Sequence, residues 1–419
     1  MIVTSEDLHP HDTYTCSFEL SLAGALVQSG TDVSLLSVYL ITPKNLLKAV
    51  LVKCSFGLKK NRISERFSFG RLFRLALGYF LLSRKVVVLL HRINGLPTWE
   101  SIGIHPVEIT GLEAFEPVWV NVGREAFARI PAHQQPNIIH AHSRFFLAAS
   151  LANELHHRTG IPYVITEHSS YYFRDMVPVS MVPSVSKVYH EAAAATAVSR
   201  VLAEKVKEVL QTSIPIQVIG NVLSDIYTNP LHDKTPSRKN PGFTVLSVGR
   251  FDANKNQGLL LRAFAAADIP GSQLVLIGEG PLQKELVRLA NSLEIGDRVF
   301  FTGWLPKEAV REQMLCSDVL VVSSKVETFS VVVAEAQACG LPAISTPCGG
   351  PAELIVFGSG KVLATFEVKE MAEALLQLRT HLEKYSSAMI RENALAKFGH
   401  KAVAAQYNLL FHELLRHCP

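Results

Sequence analysis

Short apolar runs alternate with helical patterns along most of the 419-residue chain. This alternation is typical of parallel α/β sheets, in which each buried strand is followed by a helix. In the first half it predicts strands near 1–4, 33–38, 86–90, 137–141, 163–166, 195–198 and 216–219, with helices at 17–29, 143–158 and 200–210. In the second half it predicts strands near 243–248, 273–277, 298–301, 318–322, 342–345 and 360–363.

Turn-forming residues divide the pattern into two halves. Asn229-Pro230 and the segment ending at Pro241 predict a linker at 221–242. We therefore expect a domain at 1–220 and a second at 243–396, each a doubly wound α/β sheet. Such sheets bind ligands at the carboxyl ends of their strands. The two expected domains would therefore face each other across a cleft lined by the loops that follow strands.

The composition suits a two-domain protein of a reducing compartment. The length exceeds one ordinary domain, and 48% of the residues are hydrophobic. The six cysteines include no Cys-x-x-Cys pair, so we expect reduced thiols and no zinc site or disulfide framework. Residues 1–10 lack the pattern of a signal peptide. The longest apolar tract, 75–90, is interrupted by Arg84 and Lys85, which makes a membrane span unexpected and a cytoplasmic location the expectation.

A basic segment at 44–92 stands apart from the rest of the chain. It holds twelve Lys and Arg residues against the single acid Glu65, whereas the whole chain carries a net charge of only +4. It overlaps an expected helical insertion at about 45–84, and aromatic residues interleave with its charges. Such segments suit an anionic membrane surface, here the inner face of the plasma membrane. A solvated helix pair and a nucleic-acid patch are the alternatives, but nothing else resembles a nucleic-acid-binding module.

Two carboxylates eight residues apart, Glu327 and Glu335, are the first candidates for chemistry. Residues at this spacing lie about 80° apart on one continuous helix, so they converge more easily if Glu327 precedes the helix. The free amide N–H groups of Phe329, Ser330 and Val331 would then face an anion. A nucleoside diphosphate carrying a sugar fits such a site. An ordinary helix with a solvated Glu at each end is the alternative.

Two neighbouring motifs strengthen the first interpretation. Gly249-Arg250 and Lys255 follow one predicted strand, and Gly349-Gly350 follows another. Together with the two carboxylates they resemble the C-terminal half of the retaining glycosyltransferases of family 4, which have the GT-B fold of two facing Rossmann-like domains. The close resemblance covers residues 243–356, and a looser one covers most of the chain.

The resemblance implies roles for particular residues. Arg250 and Lys255 match the cations that hold the leaving diphosphate, Glu335 the residue that binds the ribose hydroxyls, and Glu327 the one beside the donor sugar. Gly303 matches the turn that meets the nucleobase, although a plain strand-ending turn fits it equally. Residues 397–419 would form a helix that crosses back to the first domain.

The first domain offers histidines at the ends of two predicted strands. His168 matches a family histidine that touches the donor sugar or the acceptor. His140 and His142 share one strand face, which could suggest metal ligands, but no carboxylate or Cys partner stands out, so orienting an acceptor or a loop is favoured. No Asp-x-Asp occurs in the chain, which argues against a metal-dependent design. The first loop, at 6–15, lacks the glycines usual in the family.

These observations lead to one hypothesis with two rivals. The chain is expected to be a retaining, metal-independent hexosyltransferase that uses a UDP- or GDP-sugar and no cofactor, in the assembly of a surface polysaccharide, a lipopolysaccharide or another glycolipid. A nucleotide-sugar 2-epimerase of the same fold and a catalytically silent partner subunit are the rivals. A nicotinamide dehydrogenase is remote, because no Gly-x-Gly-x-x-Gly opens a helix after a strand.

Overall fold

The computed structural model describes residues 1–4, 17–41, 86–93, 95–104, 111–143, 146–229 and 242–416. The first loop at 6–15, the predicted insertion at 45–84 and residues 230–241 of the predicted linker lie outside these ranges. Most of the basic segment 44–92 lies outside them as well.

The chain divides into two compact units. The first unit comprises Met1–Ala197, Val206–Gln217 and Tyr407–Pro419, and the second comprises Val198–Lys205 and Val218–Gln406. The unit boundaries therefore differ from a single break at a linker. Residues 221–229, expected in the linker, belong to the second unit, where Leu223 and Tyr227 are buried.

The first unit is built on an eight-stranded sheet in the order β3-β4-β2-β1-β5-β6-β7-β8. Strand β3 runs antiparallel to β4, while β1 is parallel to both of its neighbours, β2 and β5. The strands are β1 (Ile2–Thr4), β2 (Leu35–Ile41), β3 (Val86–Ile93), β4 (Leu96–Ile104), β5 (Ile139–Ser143), β6 (Tyr163–Glu167), β7 (Ala194–Ala197) and β8 (Ile216–Val218). Every strand predicted in this half is present.

The helices of this half of the chain include three that were not predicted, at 112–127, 182–191 and 225–228. They are α1 (Ser17–Gln28), α2 (Leu112–Phe127), α3 (Leu147–Thr159), α4 (Val182–Glu191), α5 (Arg200–Leu210) and α6 (Asp225–Thr228). Helix α2 contains Pro117 yet packs on the sheet, and its Trp119 donates an indole N–H to the Val38 carbonyl at 3.2 Å. Tertiary burial therefore outweighs the local cost of the proline.

The second unit is built on a six-stranded parallel sheet in the order β11-β10-β9-β12-β13-β14. Its strands are β9 (Thr244–Val248), β10 (Gln273–Ile277), β11 (Val299–Gly303), β12 (Val319–Val322), β13 (Ala343–Ser345) and β14 (Gly360–Val362). Counted within the unit, this is the order 3-2-1-4-5-6 of doubly wound nucleotide-binding folds. The order reverses between β9 and β12, where a crevice opens at the carboxyl ends of the strands.

Helices cover both faces of this sheet and close its core. They are α7 (Gln257–Ala267), α8 (Gln283–Ser292), α9 (Lys307–Leu315), α10 (Val331–Ala338), α11 (Pro351–Leu354), α12 (Val368–Thr380), α13 (Ser387–Phe398) and α14 (His400–Arg416). Residues His400–Gln406 of α14 belong to the second unit and the remainder to the first. The sheet core includes Val245, Leu274 and Val321, all fully buried. Such two-sided burial explains the uninterrupted apolar strands in the sequence.

Candidate functional site

The loops that follow β9 and β12 lie side by side, because these strands are neighbours in the sheet. Three hydrogen bonds to backbone carbonyl groups join them, and each involves a residue of the Asn254-Lys255 pair. The amide of Lys325 donates to the Asn254 carbonyl at 2.8 Å, and the Asn254 side chain donates to the Val326 carbonyl at 3.0 Å. The Ser323 hydroxyl donates to the Lys255 carbonyl at 2.8 Å. The two loops therefore form one frame.

The loop after β9 turns sharply and presents Lys255 to its neighbour. The Asp252 carboxylate accepts the amide N–H groups of Asn254 and Lys255, both at 3.0 Å. Asn256 then adopts a left-handed conformation, with φ 49°, and starts α7. Asn is one of the few residues other than Gly that tolerate this conformation, so Asn256 fits the turn.

Lys255 and Glu327 form an ion pair at the centre of this frame. The Lys255 ammonium lies 2.6 Å from Glu327 Oε1, and the Ser324 hydroxyl donates to the same oxygen at 2.6 Å. The two charged side chains are only 28% and 12% exposed. Burial lowers the pKa of Lys255, but the Glu327 carboxylate beside it reverses the effect and raises the pKa above its ordinary value. The ammonium therefore stays charged in a largely desolvated position.

Arg250 takes a different position from Lys255. Its guanidinium is 66% exposed and pairs with Asp252 at 3.6 Å. Long exposed side chains of this kind keep their freedom to reorient. The sequence analysis expected Arg250 and Lys255 to act together on a diphosphate. In the structure they lie in one loop, but Arg250 pairs with Asp252 and Lys255 pairs with Glu327.

Two glycines let a third loop approach the frame. The amide of Glu327 donates to the Cys348 carbonyl at 2.7 Å, and the amide of Gly350 donates to the Glu327 carbonyl at 2.9 Å. A Cβ on Gly349 would lie 2.8 Å from the Glu327 carbonyl oxygen, and one on Gly350 would lie 2.6 Å from the Phe329 backbone. Only glycine fits such close backbone contact. The Gly-Gly motif therefore fixes the position of the Glu327 loop.

Helix α10 begins directly at this frame. Phe329 is buried, Ser330 is the N-cap residue, and Val331 is the first helical residue. Ser330 has φ 73° and ψ 76°, a left-handed conformation that costs a residue other than Gly about 1–3 kcal/mol. The amide N–H groups of the first helical turn have no acceptor within the helix, and they carry a partial positive charge. This end of α10 is therefore suited to an anion.

Glu335 is the fifth residue of α10, and Glu327 precedes the helix, as the spacing of the two carboxylates requires. Burial raises the pKa of Glu335 to about 7, and the positive charge of Lys307 acts in the opposite direction. Lys307 is the first residue of α9, a helix that packs against α10. Glu335 is therefore a half-buried carboxyl whose charge depends on a cation that the sequence did not single out.

Gly303 ends β11 and turns the chain toward α9. It has φ 72°, and its carbonyl accepts the amide N–H of Gly278 at 3.0 Å. The carboxylate of Glu279 accepts the amide N–H of Trp304 at 3.3 Å. The two Gly turns after β10 and β11 therefore brace each other. Glu353 accepts the amide N–H groups of Arg200 and Val201 at 2.9 Å each.

The histidines of the first unit form a buried cluster. His142 Nδ1 lies 3.0 Å from His168 Nε2, and His140 Nε2 lies 2.7 Å from the Thr166 hydroxyl. Burial and the neighbouring His142 lower the pKa of His140 well below its ordinary value, and burial lowers the pKa of His142 to about 3. Both rings are therefore neutral at pH 7, and His142 is in position to orient His168. In the part of the chain that the structure describes, no group of three or more His, Cys, Asp or Glu residues could hold a metal ion.

Glu167 fixes the backbone that carries His168. Its side chain is fully buried, and Oε1 accepts the amide N–H groups of His168 and Ser169 at 2.9 and 2.7 Å. Oε2 accepts the Tyr189 phenol at 2.6 Å. Burial nevertheless raises the pKa of Glu167 to about 7, against the effect of these hydrogen bonds. The turn that carries His168 therefore depends on a carboxyl group from the end of the same strand.

Family models match both halves of the chain. The family model described as "Glycosyl transferases group 1" matches residues 230–395, and the one described as "Glycosyltransferase Family 4" matches residues 83–224. The chain is a glycosyltransferase of the group 1 and family 4 type. It is an enzyme of the hexosyltransferase class, and its two sheets with interleaved helices are those of the GT-B fold.

Similar proteins cover most of this glycosyltransferase. N-acetyl-alpha-D-glucosaminyl L-malate synthase from Bacillus anthracis is 25% identical over 345 residues, which cover 77% of this chain and 88% of that protein. The structure of sucrose-phosphate synthase from Thermosynechococcus elongatus superposes with a TM-score of 0.69 at 19% identity. The superposition covers 95% of this chain and 92% of the synthase chain. Anabaena HepE in complex with UDP superposes with a TM-score of 0.64 at 18% identity, and covers 91% and 100%. At these identities the two structures show the fold alone.

Three residues of the site escaped the sequence analysis. Ser324 precedes Glu327 by three residues and carries no distinctive local pattern. Lys307 lies 28 residues before Glu335, and its proximity follows only from the packing of α9 on α10. Glu167 immediately precedes His168, and an acid at the end of a buried apolar strand was the available signal.

Proposed function

We propose that this glycosyltransferase is a retaining enzyme that moves a sugar from a nucleoside diphosphate sugar to an acceptor hydroxyl without a metal ion. The observation that carries the proposal is the Lys255–Glu327 ion pair beside the start of α10. It places a cation, a carboxylate and helix N-terminal amide groups together at the point where the strand order reverses.

The donor is proposed to bind in the second unit. The amide groups of Phe329, Ser330 and Val331, together with Lys255 and the mobile guanidinium of Arg250, would hold the diphosphate. The carboxylate of Glu335 would accept hydrogen bonds from the ribose hydroxyls, and the Gly303 turn would meet the base. The crystal structure of the neighbour HepE is a complex with UDP, which supports a nucleotide as the ligand.

The chemistry proposed for this site is attack on the same face that the leaving group departs from. As the bond between the sugar C1 and the diphosphate oxygen breaks, negative charge grows on that oxygen, and Lys255 and Arg250 stabilise it. The acceptor oxygen forms the new bond to C1 and passes its proton to the departing phosphate. Glu327 holds Lys255 and contacts the donor sugar. His168 is proposed to contact the acceptor in the first unit.

A nucleotide-binding screen tests the donor site. UDP, GDP, ADP and their common sugars would be titrated calorimetrically into the wild-type protein and Glu335→Ala. Tight binding of one nucleotide that weakens in the variant supports the proposal and identifies the base. A wild-type protein that binds none of them contradicts it. With the donor identified, NMR of the product shows whether the anomeric configuration is retained, and a donor-only incubation tests for 2-epimerisation.

The acceptor is proposed to be lipid-linked, as in surface polysaccharide or glycolipid assembly, with the enzyme at the inner membrane surface. The support is the charge of the basic segment 44–92. Among the described residues, no helix combines the length and apolar character needed to cross a bilayer. Sedimentation with anionic liposomes tests the proposal. Binding that is absent, or unchanged when Lys59, Lys60, Arg62 and Arg66 become Ser, contradicts it.

A further inference from the structure

Ser330 combines two unfavourable features at the start of α10. Its backbone has a left-handed conformation, with φ 73°, which glycine adopts far more readily than other residues. Its side chain is also buried, at 6% exposure, and Oγ has no hydrogen-bond partner among the residues that the structure describes. The hydroxyl does not cap its own helix either, since no described N–H of α10 donates to it.

A glycine at this position would avoid both features. It would adopt the same backbone without strain, keep the same amide N–H groups and carry no hydroxyl to bury. A buried hydroxyl without a partner is costly, because it loses its bonds to water and gains none in return. Helix capping and hydrogen bonding among the described residues therefore do not account for the serine.

The location of Ser330 indicates the chemistry of a partner for its hydroxyl. Its Cβ branches from the backbone at the N-cap of α10, where the first amide groups of the helix carry partial positive charge. The carbonyl of Ser330 accepts the amide N–H of Val333 at 3.0 Å, so the backbone of Ser330 already forms a hydrogen bond at the start of the helix. Rotation about χ1 is the remaining freedom, and it moves Oγ relative to the helix end. Oxygen atoms of an anion are the acceptors that this helix end attracts.

We propose that the Ser330 hydroxyl donates a hydrogen bond to a phosphate oxygen of the donor diphosphate, and so helps to select nucleoside diphosphates. This inference rests on the proposed function, because it assumes that the diphosphate lies at the start of α10. It assigns a specificity role to the side chain of Ser330, separate from that of its backbone N–H.

Two variants separate the hydroxyl from the backbone strain. Ser330→Ala removes the hydroxyl and keeps the strain, whereas Ser330→Gly removes both. Calorimetric titration with UDP, GDP and ADP, and with the matching monophosphate, compares each variant with the wild-type protein. Both variants are expected to bind the preferred diphosphate about fivefold to tenfold more weakly, since each lacks one hydrogen bond to a charged acceptor.

Thermal unfolding of the ligand-free proteins supplies the second measurement. Ser330→Ala is expected to unfold at the same temperature as the wild-type protein or higher, because it buries no unpaired hydroxyl. Ser330→Gly relieves the backbone strain but also increases the conformational entropy of the unfolded chain. It is expected to unfold at a still higher temperature if the relief of strain is the larger of these two effects. A hydroxyl with a structural partner would instead make Ser330→Ala less stable.

The possible results distinguish a failure of the hydroxyl's role from a failure of the donor site. Diphosphate affinities that agree within twofold among the three proteins overturn the role of the hydroxyl and leave the donor site standing. A less stable Ser330→Ala with unchanged affinity overturns it as well. A wild-type protein that binds no nucleoside diphosphate overturns the proposed function, and this inference with it.

Discussion

Lowering the pH below neutrality should weaken donor binding through Glu335. Burial raises the pKa of this carboxyl to about 7, against the effect of the Lys307 charge. An ionised carboxylate accepts hydrogen bonds from both ribose hydroxyls, whereas the protonated acid must itself donate one. The ionised form is therefore the binding form, and its population falls as the pH drops through 7.

The expected size of the effect follows from the titration curve. With a pKa of about 7, roughly nine-tenths of the molecules carry the carboxylate at pH 8 and roughly one-tenth at pH 6. If only that form binds, the observed Kd rises about tenfold between these two pH values. A group at the ordinary pKa of a Glu would stay ionised throughout this range, and the affinity would be constant.

Calorimetric titration with a nucleotide sugar between pH 5.5 and 8.5 provides the assay. A nucleotide sugar is chosen because its diphosphate has no proton that titrates in this range. Glu335→Gln is the matched control and should bind more weakly, with a flat profile. Lys307→Met should move the midpoint to higher pH, because a cation that favours the carboxylate is lost. A wild-type profile parallel to that of Glu335→Gln would refute the reasoning.

Three further predictions concern the frame and the first unit. Gly350→Ala should destabilise the protein by about 1–3 kcal/mol, because its Cβ would lie 2.6 Å from neighbouring backbone; Gly258→Ala, with its nearest contact at 3.6 Å, should leave the melting temperature equal or higher. Ser324→Ala should lower kcat about tenfold by removing a hydrogen bond to Glu327, and an unchanged kcat would count against that positioning role. Glu167 has a folded pKa raised to about 7, so the folded state binds its proton more tightly than the unfolded state. Its contribution to stability should therefore be fully present below about pH 4.5 and lost as the pH rises through 7, and urea titrations should show a shallower decline over this window for Glu167→Gln.

The second sheet could be predicted from the sequence within one or two residues at each strand. Strands such as β12, Val319–Val322, are buried on both faces, so their apolar runs are continuous and end at polar loops. The prediction for the first half of the chain was less complete. Helix α2 contains Pro117, a residue that argues against a helix interior. Strand β4 contains Pro97, which lowers its strand signal, and it pairs at the edge of the sheet with β3.

The identity of the candidate site residues could be predicted better than their contacts. Glu327, Glu335 and Lys255 follow from motif spacing, because each belongs to a short local pattern next to a strand. The ion pair between Lys255 and Glu327 joins residues 72 positions apart, and only the pairing of β9 with β12 brings them together. The same holds for His142 and His168, which are 26 positions apart. His142 lies on β5, and His168 directly follows the adjacent strand β6. A local motif therefore indicates which residues are candidates for the site, whereas the order of the strands decides which of these residues contact each other.

Main-chain hydrogen bonds contribute to the frame of loops around Lys255. Lys325 bonds to Asn254, Glu327 to Cys348, and Gly350 to Glu327, all between backbone N–H and C=O groups. Side chains that take no part in the frame can therefore change without loss of these bonds, whereas those of Asn254 and Ser323 hold the loops themselves. A scaffold of this kind lets substrate preference diverge among descendants while the catalytic geometry is inherited. Libraries that vary Trp304 and Lys307 and keep Gly349 and Gly350 are the natural starting point for redirecting the enzyme to another nucleotide sugar.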